Sequence, residues 1–114
     1  MNTINYHNKK FKPVINSENG IVDDSMTFHY LQHGKVLTCS YSGQHIVAGH
    51  LIGLVDDYGQ IDMRYHQVNQ ALELMTGICI STPSISAEGK IMLSESWQWT
   101  SGDQSIGHST LIEI

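Results

Sequence analysis

From Met26 onward, apolar and polar residues alternate in short runs. Met26, Phe28 and Tyr30 alternate with Thr27 and His29, and Leu37, Cys39 and Tyr41 with Thr38 and Ser40. Ile61, Met63 and Tyr65 alternate with Asp62, Arg64 and His66. A period of two places successive side chains on opposite faces of a strand, so each run predicts a strand with one apolar face. Later in the chain Leu72, Leu74, Thr76, Ile78 and Ile80 share a face, as do Ile106, His108, Thr110, Ile112 and Ile114. Glycine with Asn, Asp, His or Ser separates the runs, at Asn19-Gly20, His33-Gly34, Ser42-Gly43, Asp56 to Gly59, Ser84 to Gly89 and Ser101-Gly102-Asp103, and Asn69-Gln70 marks a further turn. Such residues supply the positive-φ positions that tight turns need. The segments so bounded are residues 11–16, 26–32, 35–41, 46–55, 60–68, 72–82, 90–100 and 105–114. Residues 68–75, VNQALELM, are good helix formers, but the window is shorter than the ~12–15 residues at which a helix stands unaided and runs into β-branched ICIST.

Eight short strands joined by tight turns leave no room for crossover helices and predict an all-β, antiparallel up-and-down meander. A meander of that length removes its exposed edges by closing. Eight strands enclose an interior just wide enough for side chains or one small ligand. The expectation is therefore one domain over residues 1–114, a small closed barrel of the broad lipocalin, fatty-acid-binding or streptavidin type. An open sandwich is the alternative, and residues 1–9 are expected to form a loosely ordered N-terminal arm.

Residues 91–103, IMLSESWQWTSGD, carry the least routine pattern. Trp97 and Trp99 are two apart, and counting back by twos puts Glu95, Leu93 and Ile91 on the same face. If that face points inward, Glu95 must be paired, hydrogen-bonded or protonated, because an isolated buried carboxylate is costly. Candidate neighbours are the hydroxyls of Tyr30, Tyr41 and Tyr65, and Arg64. An aromatic wall with one acidic anchor is a common anatomy for a small-molecule site, and it suits an amine, a sugar or a planar cation. The expected lining is Phe28, Tyr30, Tyr41, Tyr65, Trp97 and Trp99, anchored by Glu95 and Arg64. A structural core with Glu95 satisfied by its neighbours is the plainer alternative. Arg64 raises a parity problem, since strict alternation sets it opposite Met63 and Tyr65; it meets Glu95 only if a bulge shifts a register.

Composition narrows the classes. There are six basic against eleven acidic residues, a net charge of −5, and after Lys12 the only cationic side chains besides histidine are Lys35, Arg64 and Lys90. That is too few to track a phosphate backbone, which makes nucleic acid an improbable partner. The N-terminus has no apolar signal core and no span suits a membrane helix, so a cytoplasmic protein is expected. Cys39 and Cys79 are too few for a disulfide framework and read as free thiols. The seven histidines match no metal-ligand spacing, and neither metal nor cofactor is expected. There is no Gly-x-Ser-x-Gly elbow; Cys39 is the better of two weak nucleophile candidates. Three functions remain open: a small-molecule-binding barrel, an interaction module acting as a homodimer through exposed aromatics, and an enzyme using Glu95 as acid or base with a histidine such as His29 or His66.

The runs FHYLQHGKVLTCSYSG (28–43), GHLIGLVDDYGQIDMRYHQVN (49–69), LMTGICISTP (74–83) and ESWQWTSGD (95–103) resemble a small bacterial β-barrel family of about this length. Its members are often labelled N-acetylglutamate synthase. That label implies an acetyltransferase with a Gln/Arg-x-x-Gly-x-Gly/Ala loop opening a helix, whose amides receive the coenzyme pyrophosphate. Here Gln44 is followed by His45, Ile46 and Val47, with β-branched residues where the loop should open.

Overall fold

The computed structural model describes residues 4–16, 26–43 and 45–114, with only the backbone at residues 15 and 16. Eight strands run in order: β1 (Lys9–Asn16), β2 (Phe28–His33), β3 (Val36–Tyr41), β4 (Ile46–Val55), β5 (Ile61–Asn69), β6 (Leu74–Ile85), β7 (Ile91–Trp99) and β8 (Ile106–Glu113). Each pairs antiparallel with the next, and β1 pairs with β8, so the meander closes into a barrel. The predicted turn at Asn19-Gly20 lies outside the described residues, as does Gln44, where the acetyltransferase label would need its loop.

The register decides which side chains are inside. The β5–β6 ladder runs unbroken from Ile61↔Ser81 to Val68↔Leu74, and the β6–β7 ladder from Gly77↔Trp99 to Ile85↔Ile91. Shifts occur only between Pro13 and Ile15 in β1 and between Ile46 and Ala48 in β4. Ile61, Met63, Tyr65 and Gln67 therefore point inward from β5, and Leu93, Glu95, Trp97 and Trp99 from β7.

In β6 and β8 the more apolar face is the outer one. Leu74, Ile80 and Ile106 are exposed, while Gly77, Cys79, Ser81, Gly107 and Ser109 face inward. The cause is space. A Cβ at Gly77 would lie 2.3 Å from Tyr65 Cζ, and one at Gly49 2.3 Å from Tyr41 Cε2. Glycines on β4 and β6 make room for the tyrosine rings of β3 and β5, the size alternation that lets a narrow barrel fill without overlap.

Two local expectations change, at Pro83 and in the N-terminal arm, and the reading of residues 68–75 as non-helical holds. The strand β6 continues through Pro83, which pairs with Leu93, and the turn moves to residues 86–90, where Gly89 takes φ +80°. No helix forms at 68–75; Leu72 N–H donates to the Asn69 carbonyl at 2.9 Å, closing a turn between β5 and β6. The N-terminal arm is not loose over residues 4–8. Tyr6 is fully buried against Phe11 and Tyr30, with ring centroids 6.2 and 6.1 Å away, and its hydroxyl donates to the Gly59 carbonyl. It plugs the end of the barrel that carries the β2–β3, β4–β5 and β6–β7 turns. Among the described residues no helix is long and apolar enough to cross a membrane.

Gly77→Ala tests the space argument. The added methyl must displace the Tyr65 ring, and overpacking of this kind costs about 1–3 kcal/mol. A lower urea midpoint with an unchanged slope is the expected result; an unchanged midpoint would show that the close approach has no energetic weight.

Candidate functional site

The Trp97 face points into the barrel, beside a cavity of about 60 Å³. All seven inward-facing candidates, Phe28, Tyr30, Tyr41, Tyr65, Glu95, Trp97 and Trp99, line it. Leu51, Met63, Gln67, Cys79 and Ser109 complete the wall. Tyr41 and Trp99 end their strands, and Gln67 lies near the end of β5, so the cavity sits toward the end opposite the Tyr6 plug. Leu93 and Leu111, both almost fully buried, lie on its deeper side.

Aromatic rings form adjoining walls. The centroids of Tyr65 and Trp99 are 5.5 Å apart with planes at 71°, and those of Trp97 and Trp99 are 6.0 Å apart at 61°. Phe28 and Tyr41 meet at 5.1 Å. These tilted, edge-to-face contacts favour the ring quadrupoles and hold the indoles in place. Two hydrogen bonds fix orientation further: Trp97 Nε1–H donates to Ser109 Oγ at 2.9 Å, and the Tyr41 hydroxyl donates to Gln67 Oε1 at 2.9 Å.

Glu95 lies deeper along β7, with Ser81 of β6 and Ser109 of β8 as its cross-strand neighbours. It is half-buried, but its inward position means that its remaining accessibility is to the cavity rather than to the outer surface. Loss of hydration raises its carboxyl to about 7, and the nearby Ser81 hydroxyl lowers it only in part. Ser81 Oγ does not reach hydrogen-bonding geometry: it and the Tyr30 hydroxyl are fully buried without a partner among the protein groups. The cysteines and tyrosines that face the interior stay neutral. Burial pushes the Cys39 thiol to about 12 and the Cys79 thiol further, and it raises the phenols of Tyr30, Tyr41 and Tyr65. Neither thiol is an activated nucleophile.

Arg64 does not join the site. It lies on the outer wall, where Nη1 is 2.7 Å from Asp62 Oδ1, an exposed pair of small energetic weight. No bulge interrupts β5 between Ile61 and Val68, so its parity cannot change. The suggested pairing with Glu95 is therefore corrected. His29 and His66 are also exposed, and neither can exchange a proton with Glu95 inside the barrel. His66 stacks on His50 across the outer wall, with centroids 5.7 Å apart. Among the described residues no three His, Cys, Asp or Glu side chains converge as a metal would require.

Sequence reasoning missed Gln67, Ser81 and Ser109 because polar residues on strands read as outward-facing. Parity would have found Gln67, which lies in step with Met63 and Tyr65. The small residues carried no such signal until their neighbours were known.

Comparison with known proteins returns one family. The model of the avidin-like proteins matches residues 4–114. No curated protein and no solved structure matches the chain. The N-acetylglutamate synthase label finds no support in these comparisons.

The raised carboxyl makes stability depend on pH. In the unfolded chain Glu95 ionises near its ordinary 4.5, whereas in the barrel it holds its proton to about 7. Its contribution is therefore greatest below the unfolded value, falls as pH rises between the two, and is flat above. The loss is on the order of 2–4 kcal/mol. Glu95→Gln removes the ionisation, so the variant should gain on the parent protein between pH 5 and pH 8 in urea unfolding. Parallel pH profiles for the two proteins would show that Glu95 ionises as freely in the barrel as outside it.

Proposed function

The chain belongs to the avidin-like protein family, and we propose that it binds a small molecule inside the barrel, against Trp97 and Trp99, with Glu95 as the polar anchor. The observation that carries this reading is the Tyr30 hydroxyl, fully buried without a protein partner in the wall of the aromatic cavity. A buried hydroxyl left unpaired costs about 1–3 kcal/mol, and native structures rarely keep one without a reason. A bound polar group supplies such a reason. Phe28, Tyr30, Tyr41 and Tyr65 contribute the rest of the wall.

Binding is favoured over catalysis because Glu95 has no second proton carrier beside it that titrates near neutrality. The thiols and phenols are raised out of that range, and the histidines with described side chains lie on other faces. Association as a homodimer is the second reading, on a changed basis. The tryptophans are buried within a single barrel, but Val36 and Leu54 are register partners on the outer wall, exposed by 41% and 61%, with Ile52 nearby. The two free cysteines support a cytoplasmic setting.

A tryptophan-fluorescence titration over a metabolite panel tests the binding reading, with biotin included because avidin names the family. A saturable change is expected for at least one compound. Trp97→Phe, which keeps a ring but loses the hydrogen bond to Ser109, should weaken that binding by about tenfold. If no compound changes the emission or raises the melting temperature, the reading fails.

A further inference from the structure

We infer that the group seated beside Glu95 is a small organic cation, a primary or secondary ammonium carried on a short alkyl stem. The inference deepens the binding reading and rests on it.

The first observation is a charge without a counter-charge. Among the described residues Glu95 is the only charged one lining the cavity. Among the described residues, ion pairs of lysine and arginine lie elsewhere: Lys9 with Glu113, Lys35 with Asp57 and Arg64 with Asp62. A carboxylate enclosed this way is stabilised most by a cation brought in from outside. An anion would meet it with like charge, and a neutral ligand would leave its ionisation uncompensated.

The second observation is the shape and chemistry of the walls. The Trp97, Trp99 and Tyr65 planes stand at 61° and 71° to one another, as adjoining sides of a box do. Indole and phenol faces attract cations by their quadrupoles, and the attraction strengthens away from water. The third observation is the unpartnered Tyr30 hydroxyl in the cavity wall. Its oxygen offers lone pairs, and the charge on Glu95 is close enough to raise the phenol. An ammonium bearing N–H groups can donate to the carboxylate and to this oxygen, whereas a quaternary ammonium has no N–H to give.

Size sets the last limit. A 150 Å³ apolar cavity is known to hold benzene; about 60 Å³ admits a few heavy atoms, enough for the ammonium and the start of its stem. The remainder of a larger ligand would extend past Tyr41 and Trp99 toward the β3–β4 and β7–β8 connections.

Binding should then depend on pH through Glu95. The groups facing it from the other strands are Tyr30 on β2, Cys39 and Tyr41 on β3, Tyr65 on β5 and Cys79 on β6, and burial raises all of them. From β8 it faces Ser109, which carries no charge. The window between pH 5.5 and 8 therefore belongs to Glu95 itself, where a proton competes with the ammonium.

The test is an NMR titration following the two indole N–H signals, with propylammonium, 1-propanol, propionate and tetramethylammonium as probes. At pH 8 propylammonium should bind at least tenfold more tightly than each of the others. Its affinity should fall roughly 30-fold at pH 5.5, the factor by which a carboxyl titrating at about 7 is then protonated. Glu95→Gln should abolish both the preference and the pH dependence. The wild-type pH profile provides the same discrimination if that variant does not fold. Equal or tighter binding of 1-propanol or propionate would overturn the cation assignment and leave the binding reading standing. Indole signals unmoved by all four probes would overturn the cation assignment too. If the metabolite panel is equally silent, the binding reading falls with it.

Discussion

Closure of the strand ladder is the constraint on which the rest of this barrel depends. Once β1 pairs with β8, no edge remains to absorb a slip, and every side chain is committed to one wall. The unbroken β5–β6–β7 register carries that commitment across the functional face. It places Glu95, Trp97 and Trp99 inside, and it holds Arg64 outside with Asp62. The interior is too narrow for large residues on every strand. Gly49 and Gly77 yield their space to Tyr41 and Tyr65, and the rings that gain it define the cavity.

The same closure gives Glu95 its chemistry. Enclosure removes water from the carboxyl and raises it toward neutrality, and among the described residues no lysine or arginine lines the cavity to reverse the shift. A side chain that weakens the fold as it ionises is retained most readily where it serves binding, and functional sites are where such perturbed groups concentrate. Tyr6 closes the end of the barrel opposite Tyr41 and Trp99.

The local grammar of the chain was legible, and its three-dimensional sizes were not. Alternation and turn residues located β4 at its observed bounds and set β3, β5 and β7 within a residue or so, because both signals are local. The Trp97 parity carried directly into the cavity for the same reason. In β6 and β8 the rule that the apolar face is the inner one fails. There small residues, Gly77, Ser81, Gly107 and Ser109, hold the inner face, and at Gly77 the Tyr65 ring of the neighbouring strand leaves no room for a Cβ. Tyr6 escaped notice because its burial depends on Phe11, Tyr30 and the distant Gly59 rather than on any pattern around it. Pro83 looked like the end of a strand, yet β6 runs on beyond it to Ile85.

The central claim is that Glu95 is an inward carboxyl, poor in water and free of a protein counter-charge. Carbon-13 NMR of its side-chain carboxyl, titrated in the ligand-free protein, tests this most directly. A midpoint close to 7 is expected. A midpoint near the ordinary 4.5 would place the carboxyl in water or against a cation, and would contradict the account.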